Sequence, residues 1–375
     1  MIETALEATP QPADKAPSPA EIERLCSLFE PAPGSVYLDS ATYGLPPRPT
    51  LDALDRAREQ WRGGTGRWVD DWDREGDACR RLFADLIGAR AIDVALVPAV
   101  SMASGIVATA VPQGGEVLIA EGDFTSLSYP FLAAAERGLL SVREAPLDEL
   151  ADAVSPRTRL VAVSLVQSSD GRLAKTPDIA SAARAAGALL YLDATQAVGT
   201  LPVDVEALGA DFLACGGYKW LCCPRGVGFL WIRKSCETAA WPAAAGWRSA
   251  DLPYARFYGS PLHLAEGAAR FDLSLAWHAW VGARPSLEVM TALGDETRFR
   301  MGHAGAVAIA DRLDLERPET CILSVPVRDP DAAFEALEAR SVRASKRAGH
   351  LRVATHFYTP VDQAERAAEL LRPFR

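Results

Sequence analysis

The chain has 375 residues, 49% hydrophobic and 23% charged, with a formal net charge of −10. That length suits one large and one smaller domain, and the composition is that of an ordinary globular protein. The negative balance argues against nucleic acid or an anionic membrane as the main partner, although a local nest of N–H groups can still hold an anion. Seven cysteines, odd in number and without CxxC spacing, read as reduced thiols of a cytoplasmic protein, not as a zinc or other metal site. The N-terminus lacks a basic start followed by an apolar run, so no secretory signal is expected, and no apolar stretch is long enough for a membrane span.

Residues 1–20 carry four prolines with little apolar pattern and read as a disordered tail. Residues 21–45 are expected to join a small domain, residues 46–283 to form the large domain, and residues 284–375 to complete the small one. In the large domain, apolar runs at 94–97, 116–120, 160–166, 188–192, 211–214 and 227–232 alternate with helical stretches. One of these, residues 176–186, opens Thr176-Pro177-Asp178, which suits a helix start. Strands alternating with helices imply βαβ units and an α/β fold with a mostly parallel sheet. After Arg284 the pattern changes to a long helical stretch over 286–312, a strand over 321–327 and a terminal helix over 361–371, which suits a small α+β domain.

In parallel sheets, ligands collect at the carboxyl ends of the strands. Ser101 follows the run at 94–97, where helix N-terminal amides and a hydroxyl could form a phosphate cup or a simple N-cap. Phe124, just past 116–120, could stack on a planar ring or belong to the core. Gln167-Ser168-Ser169-Asp170-Gly171 is either a substrate-facing loop or a plain turn. The run ending in Asp193 is followed by Gln196, and the next by Gly216-Gly217-Tyr218-Lys219. A carboxylate at a buried strand tip, then a lysine after two glycines, is the pairing a pyridoxal phosphate site needs.

From Tyr37 to Thr359 the chain resembles the class V aminotransferase family of fold-type I pyridoxal phosphate enzymes, a group including cysteine desulfurases, kynureninase and isopenicillin N epimerase-like proteins. The stretch Tyr191-Leu-Asp193-Ala-Thr-Gln196 through Gly217-Tyr218-Lys219-Trp220 carries the resemblance most specifically. It implies a seven-stranded, mostly parallel sheet in the large domain, pyridoxal 5′-phosphate as cofactor, an amino acid substrate and a homodimer. It also implies roles: Lys219 holds the cofactor as an internal aldimine and then shuttles protons, and Asp193 keeps the pyridine nitrogen protonated. Gln196 bonds the phenolic oxygen, Phe124 stacks on the ring, and Ser101 with the Ser101 and Met102 amides cups the phosphate. Tyr218 stands where a phosphate-binding histidine is common, and Gly216 where a serine is common. Arg352 clamps the substrate carboxylate, with Tyr43 and Ser168 beside the substrate.

Departures narrow the chemistry. No cysteine lies in residues 341–351, where a desulfurase carries its nucleophile. Transamination is therefore expected first, with β-elimination, C–S cleavage or epimerisation as the alternatives. Trp68, Trp72, Trp247, Phe271, Trp277, His278 and Trp280 are read as pocket-shaping or as packing. A non-catalytic scaffold is disfavoured because Lys219 and Asp193 are both present. A flavodoxin-like module gives no reason for the Gly-Gly-Tyr-Lys turn.

Overall fold

The structure, a computed structural model, describes residues 16–375. The expected tail lies mostly outside the described residues. Its last two residues differ from expectation: they open helix α1 (Pro19–Cys26), because Ser18 accepts from Glu21 N–H as a cap and Pro19 fits the first turn. Strand β1 (Val36–Tyr37) and helices α2 (Arg48–Gly63) and α3 (Arg74–Leu86) then lead into the main sheet.

That sheet contains β2 (Val94–Val97), β3 (Glu116–Ala120), β4 (Ser141–Ala145), β5 (Thr158–Ser164), β6 (Leu189–Asp193), β7 (Phe212–Gly216) and β8 (Gly228–Ile232). Their order is β2-β8-β7-β6-β5-β3-β4, and only β8 runs against its neighbours. Helices α4 (Val100–Ala108), α5 (Thr125–Glu136) and α6 (Thr176–Ala186) make the connections. Side chains alternate between two cores: Leu118, Val161 and Leu190 enter one, while Val117, Ala162 and Tyr191 enter the other. Burial on both faces is why these strands read as continuous apolar runs. Strand β4 was not foreseen. It is an edge strand with Ser141 and Glu144 exposed, so it needs no apolar run.

The helical stretch expected over 286–312 is two helices, α7 (Trp277–Leu293) and α8 (Asp295–Arg312), broken at Gly294 with φ 68°. Helix α7 starts nine residues earlier than expected (277 against 286), so the boundary drawn at 283/284 falls inside it. Its buried Trp280, Leu287 and Met290 pack into the core shared with the main sheet. Beyond lie β9 (Ile322–Val325), α9 (Pro330–Glu338), β10 (Val342–Arg343), β11 (Ser345–Arg347), β12 (His350–Ala354) and α10 (Val361–Leu371). Strands β11, β12 and β9 form an antiparallel sheet, and β1 pairs parallel with β10. That pairing carries Val36 and Leu38 into a third core with Leu351, Val353 and Leu371. No helix among the described residues is long and apolar enough to cross a membrane.

Candidate active site

The carboxyl ends of β2, β3, β5, β6 and β7 share one edge of the sheet, and the residues that follow them enclose a cavity of about 120 Å³. Ser101, Phe124, Ser168, Asp193, Gln196, Gly216, Tyr218 and Lys219 all stand on its wall. Met102, Tyr43 and Arg352 do not.

Lys219 is held by a turn built for close approach. Gly217 N–H donates to Val227 O (2.9 Å), and Cys222, at φ 55°, returns its N–H to Lys219 O (3.0 Å). Lys219 is 5% exposed, and among the described residues no carboxylate lies within 4.0 Å of its ammonium. Burial lowers its pKa to about 8, against the opposing pull of Asp193. The rings of Phe124 and Tyr218 lie 5.2 and 5.8 Å from Nζ. Asp193 is equally buried, and burial raises its pKa. Thr195 N–H donates to its Oδ1 (2.9 Å), while Thr195 Oγ1 accepts from Gly216 N–H (3.0 Å). Thr195 thereby ties the tips of β6 and β7 together. A buried amine and a buried acid thus share one cavity, acting on each other without an ion pair within 4.0 Å among the described residues.

The structure removes the plainer reading of both Ser101 and Phe124. Ala99, not Ser101, is the N-cap of α4, and no side chain caps that end. Val100 and Ser101 open the helix and line the cavity, whereas Met102 N–H is already donated to Ala99 O (3.1 Å) and its side chain is exposed. Phe124 is 43% exposed and so is not core. Asp123, which sequence reasoning passed over, fixes it: the buried carboxylate accepts from Phe124 N–H (2.6 Å), Ser164 N–H (2.8 Å) and the Ser164 hydroxyl (2.5 Å).

Gln196 is fully committed. Its Nε2 donates to Ala41 O (3.1 Å) and Ser168 Oγ (3.0 Å), and its Oε1 accepts from Trp220 Nε1 (2.7 Å). Ser168 in turn receives Arg352 Nη1 on its carbonyl (2.6 Å) and hydroxyl (3.2 Å). Arg352 is thus one hydrogen bond behind the wall. Nη2 donates to Thr42 Oγ1 (2.7 Å), and Nε is buried without a hydrogen-bond partner among the described residues. The loop at 167–171 is a turn, with Gly171 at φ 84°, and it places Ser168 on the cavity wall. Tyr43 is half exposed, its ring 5.4 Å from Tyr37.

Two further residues were not read from the sequence. Arg225 lines the cavity, lies 4.9 Å over the Tyr218 ring and has no carboxylate within ion-pair distance among the described residues. His356 is buried beneath the lysine turn. Its Nδ1 accepts from Phe357 N–H and its Nε2–H donates to Trp220 O, each at 3.0 Å, and burial holds its pKa down at about 3. Their only signals were an arginine beside a glycine pair and a histidine after a strand, both too common to single out.

The aromatic residues pack on one another away from the cavity. Trp68 stacks on Trp277 (5.2 Å) and meets Trp247 edge-on (5.6 Å), and Trp72 lies 5.7 Å from Trp277. Phe271 and Trp280 are buried in the cores.

Gly44 N–H donates to Tyr218 O (3.0 Å), and a Cβ there would collide with Lys219 O and come within 2.8 Å of Cys222 Sγ. Gly44→Ala is expected to cost about 1–3 kcal/mol of stability by overpacking, read from denaturant unfolding, and to weaken cofactor retention as the lysine turn shifts.

A buried lysine, an uncompensated buried carboxylate, an exposed ring and helix amides on one wall fit pyridoxal phosphate, and with this fold they define a fold-type I pyridoxal phosphate enzyme. The aminotransferase class-V family profile matches residues 36–345, and the chain belongs to that family. It is 29% identical over 309 residues to the uncharacterized aminotransferase YcbU of Bacillus subtilis (strain 168), covering 77% of this chain and 81% of that one. It is 28% identical over 333 residues to the isopenicillin N epimerase of Streptomyces clavuligerus, covering 78% and 82%. In fold it is similar to a C-DES variant with glycine covalently linked to its PLP cofactor, at a TM-score of 0.83 and 21% identity over 96% of this chain and all of that one. Pyridoxal phosphate is the cofactor.

Proposed function

We propose that this enzyme acts on an amino acid by aminotransferase-type chemistry, with Lys219 anchoring the cofactor and moving the proton at Cα. The observation that carries the reading is the buried, unpaired amine of Lys219 in one cavity with the buried Asp193. When bound, the cofactor supplies an electron sink for charge developing at Cα. Asp193 would hold the proton on the ring nitrogen, Phe124 would cover the ring, and the Gln196 amide that now bonds Ser168 would serve the phenolic oxygen. Ser101, the Val100 and Ser101 amides, the Tyr218 hydroxyl and Arg225 hold the phosphate, while the absence of a side chain at Gly216 leaves room beside it. Arg352, whose Nε lacks a partner, takes the substrate carboxylate, with Ser168 and Tyr43 alongside.

Sulfur transfer is disfavoured, because residues 341–351 contain no cysteine and Cys321 is buried against Thr200 Oγ1 (2.8 Å). A second reading, epimerisation or a lyase-type elimination, draws on the epimerase relative. Self-association as a homodimer is supported by Leu252, Phe257, Tyr258 and Leu262, exposed within one short irregular segment.

The test is a single-turnover panel of amino acids on the purified holoenzyme. The expected result is one equivalent of keto acid with the amino group retained by the enzyme, and cycling when a second keto acid is supplied. Release of ammonia or sulfide, or inversion at Cα without keto acid, sinks transamination in favour of the second reading.

A further inference from the structure

Strands β11 and β12 form a hairpin in which Arg347 pairs with His350 and Ser345 with Arg352. The two turn residues, Ala348 and Gly349, are both left-handed, with φ 47° and 77°. That is the tight primed-turn geometry, and it pins the register. Paired residues share a face and successive residues alternate, so Arg347 and Arg352 stand on the same side of the hairpin as diagonal neighbours. Lys346 faces the other way, its ammonium 5.2 Å from the Phe334 ring.

Thr42 joins the two arginines. Its Oγ1 accepts from Arg352 Nη2 (2.7 Å) and Arg347 Nη2 (3.5 Å) and donates to Asp39 Oδ1 (2.8 Å). Asp39 lies 3.4 Å from Arg352 Nη2, and among the described residues no carboxylate comes within 4.0 Å of Arg347. Two guanidinium groups therefore stand around one carboxylate, Asp39, while the carboxylate that acts on Lys219 is Asp193. Besides burial, both arginines act on the Lys219 amine to lower its pKa, so their fields reach the reacting centre. Arg352 is enclosed by Ser168 and Thr42, whereas Arg347 is exposed, its Nη1 donating to Lys346 O (2.7 Å) and its Nη2 only distantly to Thr42.

We infer that Arg347 determines substrate specificity: it receives the second carboxylate of a dicarboxylic amino acid whose α-carboxylate is held by Arg352. The inference rests on the role given above to Lys219 and Arg352. One carboxylate leaves a surplus of positive charge at this mouth, and a second one, bound side-on to a planar guanidinium, removes it.

The test compares near-isosteric pairs, glutamate with glutamine and aspartate with asparagine, by the change each causes in the cofactor's visible absorbance in the holoenzyme. Wild type is expected to bind a dicarboxylic member at least about tenfold more tightly than its amide. Arg347→Met should abolish that ratio, bringing the affinity for the dicarboxylic member down to that for its amide, and Arg347→Lys should keep part of it. Equal binding of acid and amide by wild type, or a ratio that survives in Arg347→Met, overturns the inference. If no amino acid changes the absorbance of wild type, the role assigned to Lys219 fails and the inference falls with it.

Discussion

Lys219→Ala is expected to abolish turnover, by more than about 10³-fold, and to remove the visible absorbance of the lysine-anchored cofactor. Among the described residues no other amine stands on the cavity wall to take over. The same residue sets a pH dependence in wild type. Below a pKa of about 8 the amine is an ammonium and cannot attack, so loading of apoenzyme with pyridoxal phosphate should quicken as pH rises, levelling above about 8. The sign follows from burial, which disfavours the cation and brings the neutral nucleophile down from its ordinary range. Stopped-flow absorbance of apoenzyme mixed with cofactor reads this directly. A loading rate independent of pH between 6 and 9, or visible absorbance retained in the variant, would remove Lys219 from its assigned place.

Asp193→Asn should leave that absorbance in place but reduce turnover roughly 10²–10³-fold, the scale of losing one preorganised charge at a reacting centre. The substitution keeps the shape of the site and the Thr195 contact, and it removes only the charge that favours a protonated ring nitrogen. Asp193→Glu should recover part of the loss. Steady-state rates beside absorbance spectra separate the effect from simple loss of cofactor. A variant that loads normally and turns over at the wild-type rate would show that the carboxylate has no electronic role.

Much of this site could be read along the chain because it hangs on strand ends. Asp193, Gly216 and Lys219 follow apolar runs whose buried nature is visible as continuous hydrophobicity, and the family pattern converges on them. Ser101 and Phe124 were located but left ambiguous, since a residue after a strand can cap, pack or bind. Exposure excluded core packing for Phe124, and the cap geometry of α4 excluded the N-cap for Ser101. The helix boundaries near 284 were misjudged because Pro285 and the local change in composition resemble a break. The chain turns instead at Gly294, where a left-handed backbone ends α7. The tryptophans pointed equally to pocket and packing, and only their mutual contacts identify them as packing.

By itself the sequence determined the parallel sheet, the cofactor class and the lysine–aspartate pair. These depend on periodicity and on motifs a few residues long, and such signals are local. The tertiary structure alone decided how the substrate side is assembled. Arg352 meets Ser168 across 184 residues and Thr42 across 310, and Gly44 presses on the backbone of the lysine turn. Arg347 reaches the same mouth only because a two-residue turn fixes the hairpin register. Contacts of that kind leave no periodic trace in the chain, because they exist only once three packed cores have brought distant segments together.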